Sequence, residues 1–262
     1  MLAQYGPWAL IVGGSEGLGT AFADELAAAG FDLLLVARTG ERLERAAEAL
    51  RSRHPRRTFR TLAADLSEEP GAEQVVQAAA GLEIGLMIYN AGACSERRDF
   101  LDIDLDFNLR LATLNVTNKL RLTYAFGRAM RERGRGGIML VGSSSYACGN
   151  PGFATYSGVK AFSTLFSEGL WHELRPFGVH VLGYVVTFTA TPAIARNYPD
   201  MAGQGSDPVE VAHYGLSQLA NGPVAFCPGA EERVRALMAL PRAEAVEQFF
   251  ERTQSYRPKI GG

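Results

Sequence analysis

Short strand-like segments, most of them apolar, recur near positions 8–12, 32–37, 58–63, 84–89, 137–142 and 179–186, and a helix-compatible stretch separates each from the next. The runs from Leu33 to Ala37, Leu86 to Tyr89 and Ile138 to Val141 do not alternate with polar residues. Strands covered by helices on both faces read this way. Strand and helix in regular alternation predict an α/β protein built on a doubly wound parallel sheet. After the sixth run the pattern weakens. Val224 to Cys227, bracketed by Pro223 and Pro228, predicts a short edge strand, and a helical segment follows to about Arg252. Two longer helices are expected at about 108–133 and 156–176. The second carries Phe162, Leu165, Phe166, Leu170 and Trp171, more apolar surface than one side of a sheet covers.

The first strand runs into Gly13-Gly14-Ser15-Glu16-Gly17-Leu18-Gly19, after which a helix extends to about Ala29. Glycine lets the backbone approach a pyrophosphate closely, and the helix that follows turns its first amides toward the anion. Glycine spacing alone is common, but the succession of strand, turn, helix and second strand gives it meaning. The spacing here departs from the usual Gly-x-Gly-x-x-Gly fingerprint. Farther along, Ser143 follows an apolar run and would emerge at the carboxyl end of a strand, where open α/β sheets place their sites. Tyr156 and Lys160 are spaced to share one helical face. An ammonium beside a phenol stabilises the phenolate and lowers a pKa that is ordinarily about 10, so Tyr156 becomes a usable proton donor or acceptor.

With these residues in register, the chain resembles the short-chain dehydrogenase/reductase family over about residues 8–192. The family's glycine motif matches Gly13, Gly17 and Gly19, its Asp-Leu element matches Asp65-Leu66, and its Asn-Ala-Gly matches Asn90-Ala91-Gly92. Its catalytic asparagine, serine, tyrosine and lysine match Asn115, Ser143, Tyr156 and Lys160. The resemblance implies one Rossmann-type domain over 1–262, with a cofactor half at about 1–140 and a catalytic and substrate half at about 141–262. It implies an oxidoreductase that moves hydride between a nicotinamide and a carbonyl or secondary alcohol. Tyr156 would exchange the proton with the substrate oxygen and Ser143 would hydrogen-bond that oxygen. Lys160 would lower the Tyr156 pKa and bind the nicotinamide ribose, while Asn115 would hold a water that relays protons to Lys160. Further cofactor contacts are implied at Ser15, Glu16, Leu18, Thr189 and Thr191. In relatives the two long helices pair with their copies across a two-fold axis, which implies a homodimer at least, or a homotetramer.

Two departures stand out. Val186-Thr187 occupies the position of the family's Pro-Gly, and Gly222 to Gly229 replaces its closing Val-Asp-Gly-Gly strand. The first of these is the one feature favouring a catalytically silent dinucleotide-binding redox sensor or scaffold as the alternative.

Cofactor choice turns on the end of the second strand, where an acidic residue would bind the adenine ribose of NAD. The chain instead reads Ala37-Arg38, a small residue followed by a guanidinium suited to a 2′-phosphate. NADP(H) is therefore expected over NAD(H), although Glu16 stands where NADP-binding relatives often carry a basic residue. The expected substrate walls are 94–100, 146–153 and 188–206. Ile194, Tyr198 and Met201 make that pocket apolar and suit it to a hydrophobic ketone, a steroid-like molecule or a 3-oxoacyl chain, with Ser145, Phe153 and Tyr198 as the expected substrate contacts.

Composition adds mainly exclusions. A hydrophobic content of 47% over 262 residues fills one large core, and a net charge of −2 gives no electrostatic argument for nucleic acid or an anionic membrane. The basic run from Arg51 to Arg60 reads as a solvated helix end. Cys94, Cys148 and Cys227 lack metal-ligand spacing and suggest free thiols in a reducing cytoplasm, and His172 and His180 read as packing residues, so no metal site is expected. The run Trp8 to Val12 is too short for a signal sequence or a membrane span. Asp102, Asp104 and Asp106 imitate the opening of a calcium loop, but Phe107 and Thr113 stand where glycine and glutamate are required. Negative charge at a helix entrance accounts for them.

Overall fold

The computed structural model describes residues 1–92, 96–199 and 202–254. Within these residues the strands β1 (Trp8–Val12), β2 (Asp32–Ala37), β3 (Phe59–Ala63), β4 (Ile84–Tyr89), β5 (Gly136–Ser143), β6 (Val179–Val186) and β7 (Val224–Phe226) form one parallel sheet. The strand order is β3-β2-β1-β4-β5-β6-β7. Because β1 lies between β2 and β4, the chain leaves it in one direction and later returns on the other side. The crevice created at the carboxyl ends of β1 and β4 is where such sheets bind ligands.

Strand geometry divides the core. Successive side chains point to opposite faces, so Ile11 packs on one side while Leu10 and Val12 pack on the other. On the first side lie the helices α2 (Gly17–Ala28), α3 (Gly40–Arg53) and α9 (Pro208–Ser217), which contribute Phe22, Leu26, Leu43, Leu50 and Val211. On the second lie α4 (Gly71–Ala78), α6 (Asn118–Arg133) and α7 (Ala154–Leu174), which contribute Val75, Leu122, Met130 and Leu174. A short α1 (Leu2–Tyr5) closes the amino end of the sheet, where the Tyr5 hydroxyl lies 2.6 Å from His180 Nδ1.

Two helical segments differ from their sequence expectations. The helix expected from 108 begins earlier, as α5 (Leu105–Ala112), because Asp104 caps it by accepting a hydrogen bond from the Asp106 amide. A turn of π-helix, Thr113–Thr117, then joins α5 to α6. The helical segment near the carboxyl end is two helices, α10 (Glu231–Ala239) and α11 (Arg242–Thr253), divided at Leu240-Pro241 because proline supplies no amide to continue the first. Both pack against Ala147 and Cys148 in a third apolar cluster that contains Val234, Leu237 and Ala245. The remaining helix, α8 (Pro192–Asn197), follows β6. Among the described residues no helix is long and apolar enough to cross a membrane.

Candidate active site

The glycine turn is shaped by close contact. A Cβ placed on Gly19 would lie 1.8 Å from the Gly13 carbonyl oxygen, so any larger residue would push the start of α2 off β1. The Asn90 side chain, at the end of β4, donates to that same oxygen at 3.1 Å. Gly13, Ser15, Glu16, Leu18, Asn90, Ala91 and Gly92 thus line one end of a cleft of about 910 Å³. Gly17 lies just behind this wall, where its Cβ would meet the Thr191 methyl at 2.8 Å. Glu16 is held from two directions, by Arg196 of α8 at 2.8 and 2.5 Å and by Arg42 of α3 at 3.5 Å. The Arg196 hydrogen bonds, assisted by the charge of both arginines against some burial, hold the Glu16 carboxyl below its usual range.

Ser143, Tyr156 and Lys160 line the middle of the same cleft. Ser143 ends β5, and its Oγ accepts a hydrogen bond from the Ser145 amide at 3.2 Å. Tyr156 falls in the first turn of α7 with Lys160 one turn on, its Nζ 5.3 Å from the Tyr156 ring centroid. Asn115 sits in the π turn, completely buried, and its Nδ2 donates to the Leu111 carbonyl at 3.0 Å. A Cβ on Gly92 would lie 2.2 Å from Asn115 Oδ1 and 3.2 Å from Lys160 Nζ. The asparagine carbonyl and the lysine amine therefore both border the space beside Gly92. Asn115 Oδ1 has no hydrogen-bond partner there, an orphaned buried acceptor beside an ammonium.

One group in this region escaped the sequence reading. Lys119, one turn beyond Asn115, is fully buried between α6 and α7, and its Nζ donates to Ser163 Oγ at 2.5 Å over the Tyr89 ring. Burial, reinforced by the charge of Lys160, lowers its pKa well below the usual lysine value. The signal was its spacing of one helical turn from Asn115.

The other end of the cleft is formed by Phe153, by Val186 to Thr189, by Thr191, Ile194 and Tyr198, and by side chains of α10 and α11. Phe153 packs on Tyr156 with ring centroids 5.9 Å apart. Ser145 lies on the same wall. The replaced motif is tied down: Thr187 Oγ1 lies 3.4 Å from Cys227 Sγ after β7. The contributions of Arg233, Val234, Leu237, Phe249 and Arg252 were missed, because no motif marks them. Asp65, Leu66 and Arg38 fall outside the lining. Asp65 accepts hydrogen bonds from Ser67 and Arg110, Asn118 donates to the Leu66 carbonyl, and Arg38 is exposed on the loop after β2. Cys94 and Met201 lie outside the described residues. Cys148 and Cys227 are buried free thiols. No cluster able to hold a metal ion occurs among the described residues.

A family model described as short chain dehydrogenase matches residues 7–202. Curated relatives include a very-long-chain 3-oxoacyl-CoA reductase of Podospora anserina, 35% identical over 194 residues that make up 73% of this chain and 57% of that protein. The human very-long-chain 3-oxoacyl-CoA reductase is 32% identical over 189 residues, 71% of this chain and 60% of that protein. The match thus spans less than two thirds of these relatives' length. Among solved structures, one from work on 7β-hydroxysteroid dehydrogenase stereoselectivity superposes with a TM-score of 0.87 at 25% identity, covering 95% of this chain and 98% of that one. A short-chain dehydrogenase from Sphingobium yanoikuyae in complex with NADPH superposes with a TM-score of 0.77 at 27% identity, covering 98% of each chain.

Proposed function

The chain belongs to the short-chain dehydrogenase/reductase family, and on that premise we propose that it is an NADP(H)-dependent oxidoreductase acting on the carbonyl or secondary alcohol of a hydrophobic substrate. The observation that carries this reading is the convergence of Ser143, Tyr156 and Lys160 on one cleft, with Asn115 directly beneath, beside a glycine turn that admits no Cβ at Gly19. A dinucleotide fits this site: the turn leaves room for a pyrophosphate, and the Lys160 amine stands where a ribose hydroxyl would need a partner. Gly13 to Leu18, Asn90 to Gly92, Lys160, Thr189 and Thr191 would hold it, with Asp65-Leu66 and Arg38 at its adenine end. The nicotinamide supplies the hydride.

The protein's own groups do the rest. Ser143 Oγ donates a hydrogen bond to the substrate oxygen and fixes its position. Tyr156 Oη gives that oxygen a proton in reduction and removes it in oxidation. The Lys160 ammonium favours the phenolate form of Tyr156. Asn115 Oδ1, the orphaned acceptor beside Lys160, orients a water that returns protons to the lysine.

NADP(H) is favoured by Arg38, which is exposed and, among the described residues, engaged by no carboxylate. The charge of Glu16 is already matched by Arg196 and Arg42, so it does not oppose a second phosphate. Residues 1–262 act as one unit, and a homodimer through α6 and α7 covers Tyr124 and Leu165, which stand exposed on those helices. Buried free thiols suit a reducing cytoplasm. Incubating the protein with NADPH and a panel of hydrophobic ketones, and following absorbance at the nicotinamide band, tests the reading. Ketone-dependent loss of NADPH supports it. NADPH binding without turnover on any ketone would instead identify the silent sensor or scaffold.

A further inference from the structure

The wall of the cleft built by α10 and α11 lies outside the span matched by the family model. It is placed by packing on Ala147 and Cys148, immediately after the turn that follows Ser143. The two helices carry the arginines Arg233, Arg235, Arg242 and Arg252 and the glutamates Glu231, Glu232, Glu244, Glu247 and Glu251. These charges are sorted. Arg235 pairs with Glu231 at 2.7 Å, and Arg242 donates to the Ala147 carbonyl at 2.9 Å. Arg233 and Arg252 line the cleft, and among the described residues neither has a hydrogen-bond or ion-pair partner. None of the five glutamates lines it, and Glu16, at the cofactor end, is the one carboxylate among the described lining residues.

A lone exposed arginine is ordinarily a solvated charge. Two of them, from different helices, lining one cleft together with Val234, Leu237 and Phe249, with none of the five glutamates of those helices in the lining, form an arrangement suited to an amphipathic ligand. The apolar body of such a ligand would lie along these side chains, and its charged end would meet planar guanidinium donors matched to a carboxylate or phosphate. We propose that Arg233 and Arg252 bind an anionic group, a carboxylate or a phosphate, at the end of the substrate remote from its reacting carbonyl. This rests on the oxidoreductase reading above.

Two matched pairs of ketones test it with NADPH as reductant. Benzoylbutyrate and its methyl ester differ in a carboxylate. The acetoacetyl thioesters of 4′-phosphopantetheine and of pantetheine differ in a phosphate. In the wild-type protein kcat/KM for the anionic member of at least one pair is expected to exceed that of its uncharged partner by about tenfold or more. The pair that shows the preference identifies the source of the charge. In Arg233→Gln/Arg252→Gln, whose exposed positions make little demand on folding, that ratio should collapse toward one. Equal kcat/KM within both pairs in the wild type would overturn the inference. A rise in the KM for NADPH in place of the collapse would also overturn it, by assigning the arginines to the cofactor. Failure of every ketone to oxidise NADPH would remove the oxidoreductase reading, and this inference with it.

Discussion

Arg196 of α8 grips Glu16 of the glycine turn through both terminal nitrogens, at 2.8 and 2.5 Å, and so ties the segment after β6 to the loop that opens α2. The Thr191 methyl already packs where a Gly17 Cβ would be, and the ion pair adds a charged clasp beside it. Exposed ion pairs contribute about 0.2–1 kcal/mol, so Arg196→Ala should speed NADPH release by up to about fivefold with little change in folding. Stopped-flow fluorescence of the nicotinamide measures this, and an unchanged rate would show that the pair holds nothing shut. Because the folded-state pKa of Glu16 is lowered, its contribution is complete above the ordinary carboxylate value and disappears only as pH falls through the folded value. The release rate should therefore be flat between about pH 5 and 8.

Tyr156→Phe keeps the ring that packs on Phe153 and removes the oxygen that carries the proton. Turnover should fall by at least about a hundredfold, the scale for losing a general acid or base, while NADPH affinity in a fluorescence titration stays within error. Near-normal turnover would refute the role.

Lys119 makes an opposite kind of prediction. Its folded-state pKa is lowered by burial and by Lys160, so between the folded value and the ordinary lysine value the unfolded chain binds more protons than the folded chain does. Folding is thus penalised at neutral pH, and the penalty shrinks as pH rises toward about 10.4. Lys119→Met fills the same volume without an amine and should raise Tm at pH 7, by about 2–4 °C for each kcal/mol recovered. The gain should be smaller at about pH 9.5. Calorimetry at the two pH values checks this, and a Met variant that melts lower at both would show that the bond to Ser163 outweighs burial.

Replacing Ala37 by Asp together with Arg38→Gln should exchange a phosphate-binding cation for a ribose-binding carboxylate. The NADPH over NADH ratio of kcat/KM should drop by about ten- to a hundredfold, the weight of one charged hydrogen bond. A wild-type protein that already prefers NADH would contradict the reading of Arg38.

Leu165 is 66% exposed on α7 and Tyr124 is 72% exposed on α6. Light scattering at micromolar concentration should return a dimer or larger for the wild type and a shift toward monomer for Leu165→Arg. A monomeric wild type would leave this apolar surface without a partner.

Most of the sheet was legible because β1, β2, β4, β5 and β6 are largely buried on both faces and read as apolar runs, and all seven strands lie within one residue of their expected bounds. Gly13 and Ser143 were legible for a related reason, since each sits at or just beyond the end of a strand, while Tyr156 and Lys160 were legible from their spacing of one helical turn and Asn90 from the family motif it matches. The π turn was hidden because one extra helical residue barely disturbs apolar spacing. Lys119 was hidden because a lysine in a helix reads as solvated unless the packing of α7 over it is known. Arg233 and Arg252 were hidden for the converse reason, since they are exposed and become informative only when α10 and α11 are seen to border the cleft.

The π turn at Thr113–Thr117 lets one long helix keep two alignments at once. Before it, the Asn108 side chain accepts a hydrogen bond from Thr155 Oγ1 at 2.6 Å, next to Tyr156; after it, Asn118 donates to the Leu66 and Glu68 carbonyls at 2.9 and 2.6 Å. Deleting a single residue there would restore a regular helix and swing one set of contacts about 100° around the axis relative to the other. Homologous chains can therefore drift in loop length on either side of this stretch and exchange side chains within it, but they should not gain or lose a residue between Asn108 and Asn118.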